Sequence, residues 1–522
     1  MSNRLTLLLL LAITVLALAL RLPRLQQRPM HGDEAVHAVK FGALLEKNFY
    51  RYDSFEYHGP TLNYLTLIPA FLNAEKSTAE ITDWTLRMVP VFFGTILVLM
   101  PLLLGGGLGR AAVIITAFLT AISPAMAYYS RYYIQEMLLV CFTFSVIVCV
   151  YRYLQNKKIG WAVASGGFLG LMHATKETCV IAWGAMALAL IPVLTRHDFG
   201  ANLRAINRRH LVAALVTAVV VAVLFFSSFF TNWRGVLDSI LTYKIYLSRA
   251  GQNPIHIHPW HYYLNLLAYF RIGANPFWSE ALILILAIAG FAAAMMKKNI
   301  IAANQRLLRF LAFYTLLMTI FYSFIPYKTP WNLLSFWHGM ILLAGAGAMA
   351  ILKLFSNKFV RGIIVLLMLV GGAHLGWQSY LANHQYYDDP ANPYVYAHPV
   401  DDVFTIVKRV EEIAQAHPAG RNLYVQVICP DNDYWPLPWY LRAFPNIGWW
   451  REVNETAPAA QLVIAAPQFE AALMRKFYEL PPPGQKHLYV PLFDAYTELR
   501  PQIELRGYVR KDLWDRLQVS KP

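Results

Sequence analysis

Long apolar runs recur along the first three-quarters of the chain and are separated by short polar stretches. Most have about the 17–25 residues that a helix needs to cross a bilayer. They predict a mainly α-helical, polytopic membrane protein with about eleven spans. The runs fall near residues 5–20, 86–108, 111–128, 134–152, 160–174, 178–194, 211–230, 280–296, 308–325, 332–352 and 360–378.

The basic residues give this pattern an orientation. Lys and Arg recur in alternate loops between the runs, and such loops face the cytoplasm. The opposite loops, 21–85 and 231–279, and everything after the last run are therefore expected outside the cytoplasm, with the protein in the cell membrane. The net charge of +15 then reflects topology and membrane lipids, and does not predict a nucleic-acid partner. The first run, which contains Ala17-Leu18-Ala19, also fits a cleaved signal peptide; either interpretation leaves residue 33 outside.

Composition changes after residue 380. Only 14% of the whole chain is charged, against roughly 25% for soluble domains, but residues 381–522 are richer in charge, Pro and Asn and contain no spanning run. Helical periodicity over Val403–Ala416 and Phe469–Phe477 alternates with strand-like runs at Leu423–Ile428 and Gln461–Ala466. We expect a membrane domain over 1–380 and a small extracytoplasmic α/β domain over 381–522. The four cysteines have no paired or metal-type spacing, which indicates free thiols.

Paired carboxylates follow the first run, in Met30-His31-Gly32-Asp33-Glu34-Ala35-Val36-His37. A charge near a membrane is costly to desolvate unless it has a partner or a task. The alternative is a solvated acidic pair at the start of a helix, where acids suit the helix dipole.

Further polar residues lie at the outer ends of the predicted spans. Carboxylates suit proton abstraction from a hydroxyl, whereas Arg and Lys suit a phosphate oxyanion. Tyr132 and Trp331 suit a sugar face, although a belt of aromatics at the membrane interface is the favoured interpretation. The charged candidates are Glu56, Arg131, Glu136, Lys176, Glu177 and Lys328.

Histidines are concentrated in the same outer loops. His256 and His258 stand in His256-Ile257-His258-Pro259-Trp260-His261, and His31, His37 and His58 lie in the first loop. A divalent metal bound by His256 and His258 is one hypothesis. Local hydrogen bonding without any cofactor is the favoured one.

These motifs resemble the GT-C superfamily of membrane glycosyltransferases. Asp33-Glu34 stands where protein O-mannosyltransferases and aminoarabinose transferases have an acidic pair, Tyr57-His58-Gly59-Pro60 stands where they have a proline turn, and Arg131 to Glu136 matches a later motif. With Tyr327-Lys328-Thr329-Pro330-Trp331, the chain looks most like the flippase-activity-associated membrane family of archaeal-type protein glycosylation. Where the aminoarabinose enzymes have Lys before the prolines, this chain has His58.

The resemblance implies sugar transfer from a polyprenyl phosphate to an acceptor hydroxyl of a lipid, glycan or protein, with inversion. Asp33 would be the base, with Glu34 orienting the acceptor or supporting the base, and Glu56 as a second-rank acid. Arg131 and Lys328, and more weakly Lys176, would contact the leaving phosphate, and His58, Tyr132, Glu136, Glu177 and Trp331 would bind substrate. A non-catalytic or transport role in lipid-linked sugar assembly is the alternative. The ionisable residues sit at span ends rather than at the midplane, which favours an enzyme.

Overall fold

The computed structural model describes residues 2–55, 58–194, 207–249, 256–296 and 303–520. The chain forms two compact units. The first comprises Met1–Leu25, Lys47–Ala74 and Trp84–Tyr396, and the second comprises Gln26–Glu46, Glu75–Asp83 and Ala397–Pro522. The second unit therefore includes two pieces of the loop 21–85 as well as the C-terminal region, whereas the sequence predicts a single division at residue 380. That domain assignment stays a prediction.

Helices occupy all eleven positions where the sequence predicts a span. Several begin at a side-chain cap: Asn304 accepts from the backbone N–H of Leu307, and Asn357 from that of Phe359, as expected at helix N-termini. The helices are Asn3–Arg21, Asp83–Leu108, Arg110–Ile122, Glu136–Asn156, Ile159–His173, Cys179–Leu190, Arg208–Phe226, Ala281–Met295, Gln305–Phe324, Pro330–Leu354 and Lys358–His384.

Seven of these helices, among the described residues, are long and apolar enough to cross a membrane by length and composition. The other four have 12 to 15 residues. The protein is a multi-pass membrane protein, while the count of eleven spans stays a prediction. Shorter helices in the first unit are Thr61–Leu72, Pro124–Tyr129, Trp233–Arg249 and Tyr262–Ala268.

Small residues allow two helices of the first unit to approach closely. A Cβ on Gly290 would lie 2.0 Å from the carbonyl oxygen of Leu343, and one on Gly347 would lie 1.9 Å from that of Leu286. Helices Ala281–Met295 and Pro330–Leu354 therefore pack backbone to backbone, as helices do in membranes where small residues line the contact.

The second unit contains a five-stranded mixed sheet in the order β2-β1-β3-β7-β4. Strands β1 (Val425–Ile428), β2 (Ile447–Trp450) and β3 (Leu462–Ala465) are parallel, with Val425 opposite both Ile447 and Leu462. Strands β4 (Tyr489–Pro491) and β7 (Arg506–Arg510) are antiparallel. Strands β5 (Glu498–Arg500) and β6 (Ile503–Glu504) form a separate pair.

Helix Asp402–Ala416 covers the sheet because its apolar residues share one face. Val403, Ile406, Val410 and Ile413 follow helical spacing, are all buried, and pack with Val425 and Val427 of β1; such a stripe drives helix-on-sheet packing. Helix Gly32–Lys47 belongs to the same unit, as do Leu437–Tyr440, Glu470–Met474 and Lys511–Ser520. The predicted architecture, a helical membrane chain with a small C-terminal α/β domain, is confirmed.

Candidate active site

The acidic pair opens helix Gly32–Lys47 through a reciprocal cap. The ring Nδ1 of His31 accepts from the backbone N–H of Asp33 at 3.0 Å, and Glu34 Oε2 accepts from the backbone N–H of His31 at 3.0 Å. This is the geometry of a capping box, with histidine in place of Ser or Thr. The cap favours a helix here because two of the backbone N–H groups that lack a partner within the helix find side-chain acceptors.

The two carboxylates have opposite environments. Glu34 is fully buried, and its two oxygens accept from Arg28 Nη2 at 3.0 and 3.1 Å. The side chain of Asp33 is 55% exposed. We call Arg28, His31, Asp33 and Glu34 the Asp33 cluster. Asp33 is thus exposed to solvent, whereas Glu34 is a buried member of an ion pair.

Burial lowers the pKa of His31 despite the opposing effect of Asp33 and Glu34. A neutral ring keeps the Nδ1 lone pair that accepts from Asp33, so the cap is intact at neutral pH. The ring of His398, 5.9 Å away between centroids, is also buried, and burial holds its pKa well below the ordinary value.

A second set of polar groups surrounds Glu177 in the first unit. Glu177 Oε2 lies 2.8 Å from Nδ1 of His58, and its Oε1 accepts from the hydroxyl of Tyr52 at 3.1 Å. Burial raises the pKa of Glu177, but His58, a backbone hydrogen bond and Lys176 together lower it overall. A buried carboxylate thus holds a half-buried imidazole, an arrangement suited to proton transfer or to binding an anion.

The backbone fixes His58 beside Glu177. Gly59 N–H donates to the carbonyl of Thr175, and Thr61 N–H donates to that of Ala174, each at 3.1 Å. A Cβ on Gly59 would lie 2.1 Å from the carbonyl oxygen of Ala174. Only glycine allows the two backbones this approach.

Gly59→Ala should therefore separate these two segments and displace His58 from Glu177. We expect a loss of about 1–3 kcal/mol in the free energy of unfolding, as for other overpacked sites. Thermal unfolding of the purified chain in detergent measures this. Gly160→Ala is the matched control, because a Cβ there meets nothing within 4 Å. Equal melting of both variants would contradict the close approach.

Lys176 forms a buried ion pair with Glu136, its ammonium donating to Oε1 of the carboxylate. Burial alone would lower the pKa of Lys176, but Glu136, with smaller contributions from Tyr322 and Glu177, raises it overall. Oε2 of Glu136 is buried and makes no hydrogen bond to the described residues. We call Tyr52, His58, Glu136, Lys176 and Glu177 the Glu177 cluster.

The other two predicted cations contact backbone carbonyls. Arg131 donates to the carbonyls of Leu20 and Arg24 at 3.4 and 3.0 Å. Lys328 Nζ donates to the carbonyl of His258 at 3.0 Å and to that of Ile325, just beyond helix Gln305–Phe324. These bonds use two of the three N–H groups of Lys328. Both residues are buried, and their phosphate contacts stay predictions.

The aromatic candidates are inside the protein. Tyr132 is fully buried and Trp331 nearly so, with ring centroids 6.1 Å apart, and Tyr129 packs against both rings. This burial does not fit an aromatic belt at the membrane interface. Substrate binding by Tyr132 and Trp331 stays a prediction.

His256 and His258 share one partner. The hydroxyl of Tyr396 lies 2.8 Å from Nδ1 of His256 and 3.3 Å from Nε2 of His258. Among the residues that the structure describes, no group of three or more His, Cys, Asp or Glu could hold a metal ion. The shared hydroxyl fits the hypothesis of local hydrogen bonding. The metal site stays a prediction.

Some contacts were not expected from the sequence. Glu56 lies outside the described residues. The sequence pattern assigns no role to Tyr52, whose contact with Glu177 joins residues 125 positions apart. His173 stacks on Tyr243 with 8° between the rings, and the Tyr243 hydroxyl lies 3.1 Å from His173 Nδ1. The only sequence signal for His173 is its place three residues before Lys176.

Similarity to known proteins supports the fold. Residues 11–237 match the family described as dolichyl-phosphate-mannose-protein mannosyltransferase. No curated protein matches the sequence. ArnT from Cupriavidus metallidurans, solved with undecaprenyl phosphate, superposes with a TM-score of 0.65 at 14% identity and covers 97% of this chain and 98% of its own.

Two further solved structures share the architecture. Archaeal oligosaccharyltransferase AglB from Archaeoglobus fulgidus, solved with an inhibitory peptide and a dolichol-phosphate, gives a TM-score of 0.55 at 12% identity, covering 89% of this chain and 70% of its own. Mycobacterial arabinofuranosyltransferase AftD gives a TM-score of 0.52 at 13% identity, covering 98% of this chain and 40% of its own. The chain therefore has the fold of the GT-C glycosyltransferases, as its motifs predict. The closer likeness to the flippase-activity-associated family stays a prediction.

Proposed function

We propose that this protein is a membrane glycosyltransferase that moves a sugar from a polyprenyl phosphate to an acceptor hydroxyl on the extracytoplasmic face, with inversion. The supporting observation is the GT-C fold shared over 97% of the chain with a protein solved with undecaprenyl phosphate. A donor held by its lipid also explains an enzyme embedded in a membrane.

Asp33 is the proposed base because its carboxylate is exposed at the first turn of a helix whose cap fixes the backbone. It takes the proton of the acceptor hydroxyl while that oxygen attacks the anomeric carbon. The bond from that carbon to the phosphate oxygen breaks, and the phosphate leaves with the electron pair. Glu34, paired with Arg28, supports the base by holding its helix turn.

The leaving phosphate needs positive charge and N–H donors to stabilise it. His58, held by Glu177, can supply both when protonated. Arg131 and Lys328 are the further proposed contacts, with Lys176 weaker because Glu136 already neutralises it.

A deletion strain tests this proposal whichever sugar the protein transfers. Its glycans and glycolipids, compared with those of the parent by mass spectrometry, should lack one sugar, and the wild-type gene should restore it. The accessory role in lipid-linked sugar assembly predicts a different result: whole glycans should decline together without loss of one residue.

The predicted orientation is tested by cysteine labelling. The four native cysteines are free and buried, so an introduced cysteine dominates the signal. Arg421→Cys, in the C-terminal region, should react with an impermeant maleimide added outside the cell, whereas Lys157→Cys should react only after permeabilisation. The opposite pattern would overturn the topology and the proposed face.

A further inference from the structure

Asp33 and the C-terminal region belong to the same compact unit, and the contacts between them lie close to the acid. The backbone N–H of Met30 donates to the hydroxyl of Tyr440 at 2.8 Å. A Cβ on Gly32 would lie 3.7 Å from Cβ of Trp435. The segment 435–442 therefore contacts the residues just before and at the start of helix Gly32–Lys47, which carries Asp33.

The same segment holds the residues 75–83. Arg442 donates to the carbonyls of Thr78 and Ile81 at 3.0 and 2.6 Å. Its guanidinium lies 3.8 Å from the ring centroid of Trp439, whose Nε1 donates to Asp83 at 2.7 Å. Because two nitrogens of one planar guanidinium donate to two carbonyls, Arg442 fixes this backbone more rigidly than a single donor would.

Residues 75–83 in turn hold the later part of the Asp33 helix. Thr78 N–H donates to Glu46 at 2.7 Å. A Cβ on Gly42 would lie 2.4 Å from the hydroxyl oxygen of Thr78. Helix Gly32–Lys47 is thus fixed near both ends, before its start through Tyr440 and over its last turns through Thr78.

We propose that Trp439, Tyr440 and Arg442 are positioning residues for Asp33, so that the C-terminal region sets the geometry of the base. We call these three residues the clasp. The inference rests on the proposed function. Rate depends steeply on the placement of a base, and a displacement of about 1 Å can cost about 10²-fold. The C-terminal region has this role whatever acceptor is used.

Tyr440→Phe is the sharpest test because it removes one hydroxyl and keeps the ring, which packs edge-on against Phe404. Tyr434→Phe is the matched control, since its hydroxyl donates to Asn432, two residues away. In the full chain, we expect the rate of hydrogen exchange at the Met30 amide to rise by about 3- to 10-fold in Tyr440→Phe. This factor corresponds to the net free energy that one hydrogen bond contributes against local opening. The control should leave that amide unchanged.

Transfer is measured in membranes of the deletion strain supplied with purified chain. Tyr440→Phe should lower kcat by about tenfold with the donor KM and the melting temperature unchanged, because only the base is misplaced. In an Asp33→Asn background, Tyr440→Phe should cause no further loss, since it acts through Asp33.

The other outcomes separate the clasp, the positioning of Asp33 and the proposed function. Unchanged exchange at Met30 would overturn the clasp. Faster exchange with an unchanged kcat, or a further loss in the Asp33→Asn background, would overturn the positioning of Asp33 while the proposed function stands. A wild-type chain without transfer would overturn the proposed function, and the positioning role with it.

Discussion

Replacing Asp33 by asparagine should lower the rate of sugar transfer by about 10²–10⁴-fold, the usual effect of losing a general base. The substitution keeps the size of the side chain and removes only its charge and basicity. The caps of the helix use the ring of His31 and the carboxylate of Glu34, so the Asp33→Asn protein should fold and enter the membrane normally. Transfer and thermal unfolding, measured on the same preparation, separate the two effects.

Asp53→Asn is the control for this experiment. Asp53 lies in the same predicted outer loop and, among the residues that the structure describes, accepts only from the backbone N–H of Phe55 at a turn, so its loss should change the rate by no more than about twofold. Glu34→Gln should instead lower stability, because it leaves Arg28 buried without its carboxylate. An Asp33→Asn protein that transfers at the wild-type rate would remove the base assignment.

Replacing Lys176 by methionine should lower the free energy of unfolding by about 3–5 kcal/mol, because it leaves Glu136 as a buried charge without a cation. Glu136 and Lys176 are both almost fully buried, and one oxygen of Glu136 already makes no hydrogen bond to the described residues. Thermal unfolding in detergent and the yield of folded protein measure this loss.

The double variant Lys176→Met/Glu136→Met should recover most of that stability, since replacing a buried ion pair with apolar residues is often neutral. A double variant as unstable as the single one would contradict the pairing. Transfer by the double variant then tests the predicted phosphate contact. A stable double variant without transfer would support a role of this pair in substrate binding, whereas full transfer would contradict a contact between Lys176 and the phosphate.

Hydrophobic runs predicted the helices because burial in lipid requires long apolar segments with satisfied backbones. A helix occupies each predicted position, although the ends shift: the run 134–152 becomes helix Glu136–Asn156, after a turn that the apolar pattern cannot detect. The strand run Leu423–Ile428 appears as β1, Val425–Ile428. The predicted helix Phe469–Phe477 is found as a continuous helical segment made of a 3-10 turn, an α-helical turn and a π-helical turn.

The arrangement of the candidate site was less predictable. The sequence pattern singles out Asp33 and Glu34 together. It does not encode that Glu34 is buried and paired with Arg28 whereas Asp33 is exposed. The Glu177 cluster joins Tyr52, His58 and Glu177 across more than 110 residues, so only tertiary packing could reveal it. Arg131 and Lys328 were chosen for their charge, whereas their backbone-carbonyl partners have no sequence signature.

The proposed activity is transfer of a sugar from a polyprenyl phosphate. The most direct measurement follows the lipids in membranes of the deletion strain after wild-type or Asp33→Asn protein is added. With wild-type protein, the polyprenyl-linked sugar should fall as free polyprenyl phosphate and the glycosylated acceptor rise in equal amounts, with the anomeric configuration inverted. With Asp33→Asn, all three should change at least about 100-fold more slowly. Equal lipid profiles with both proteins, or a fall in donor without glycosylated acceptor, would contradict the assignment.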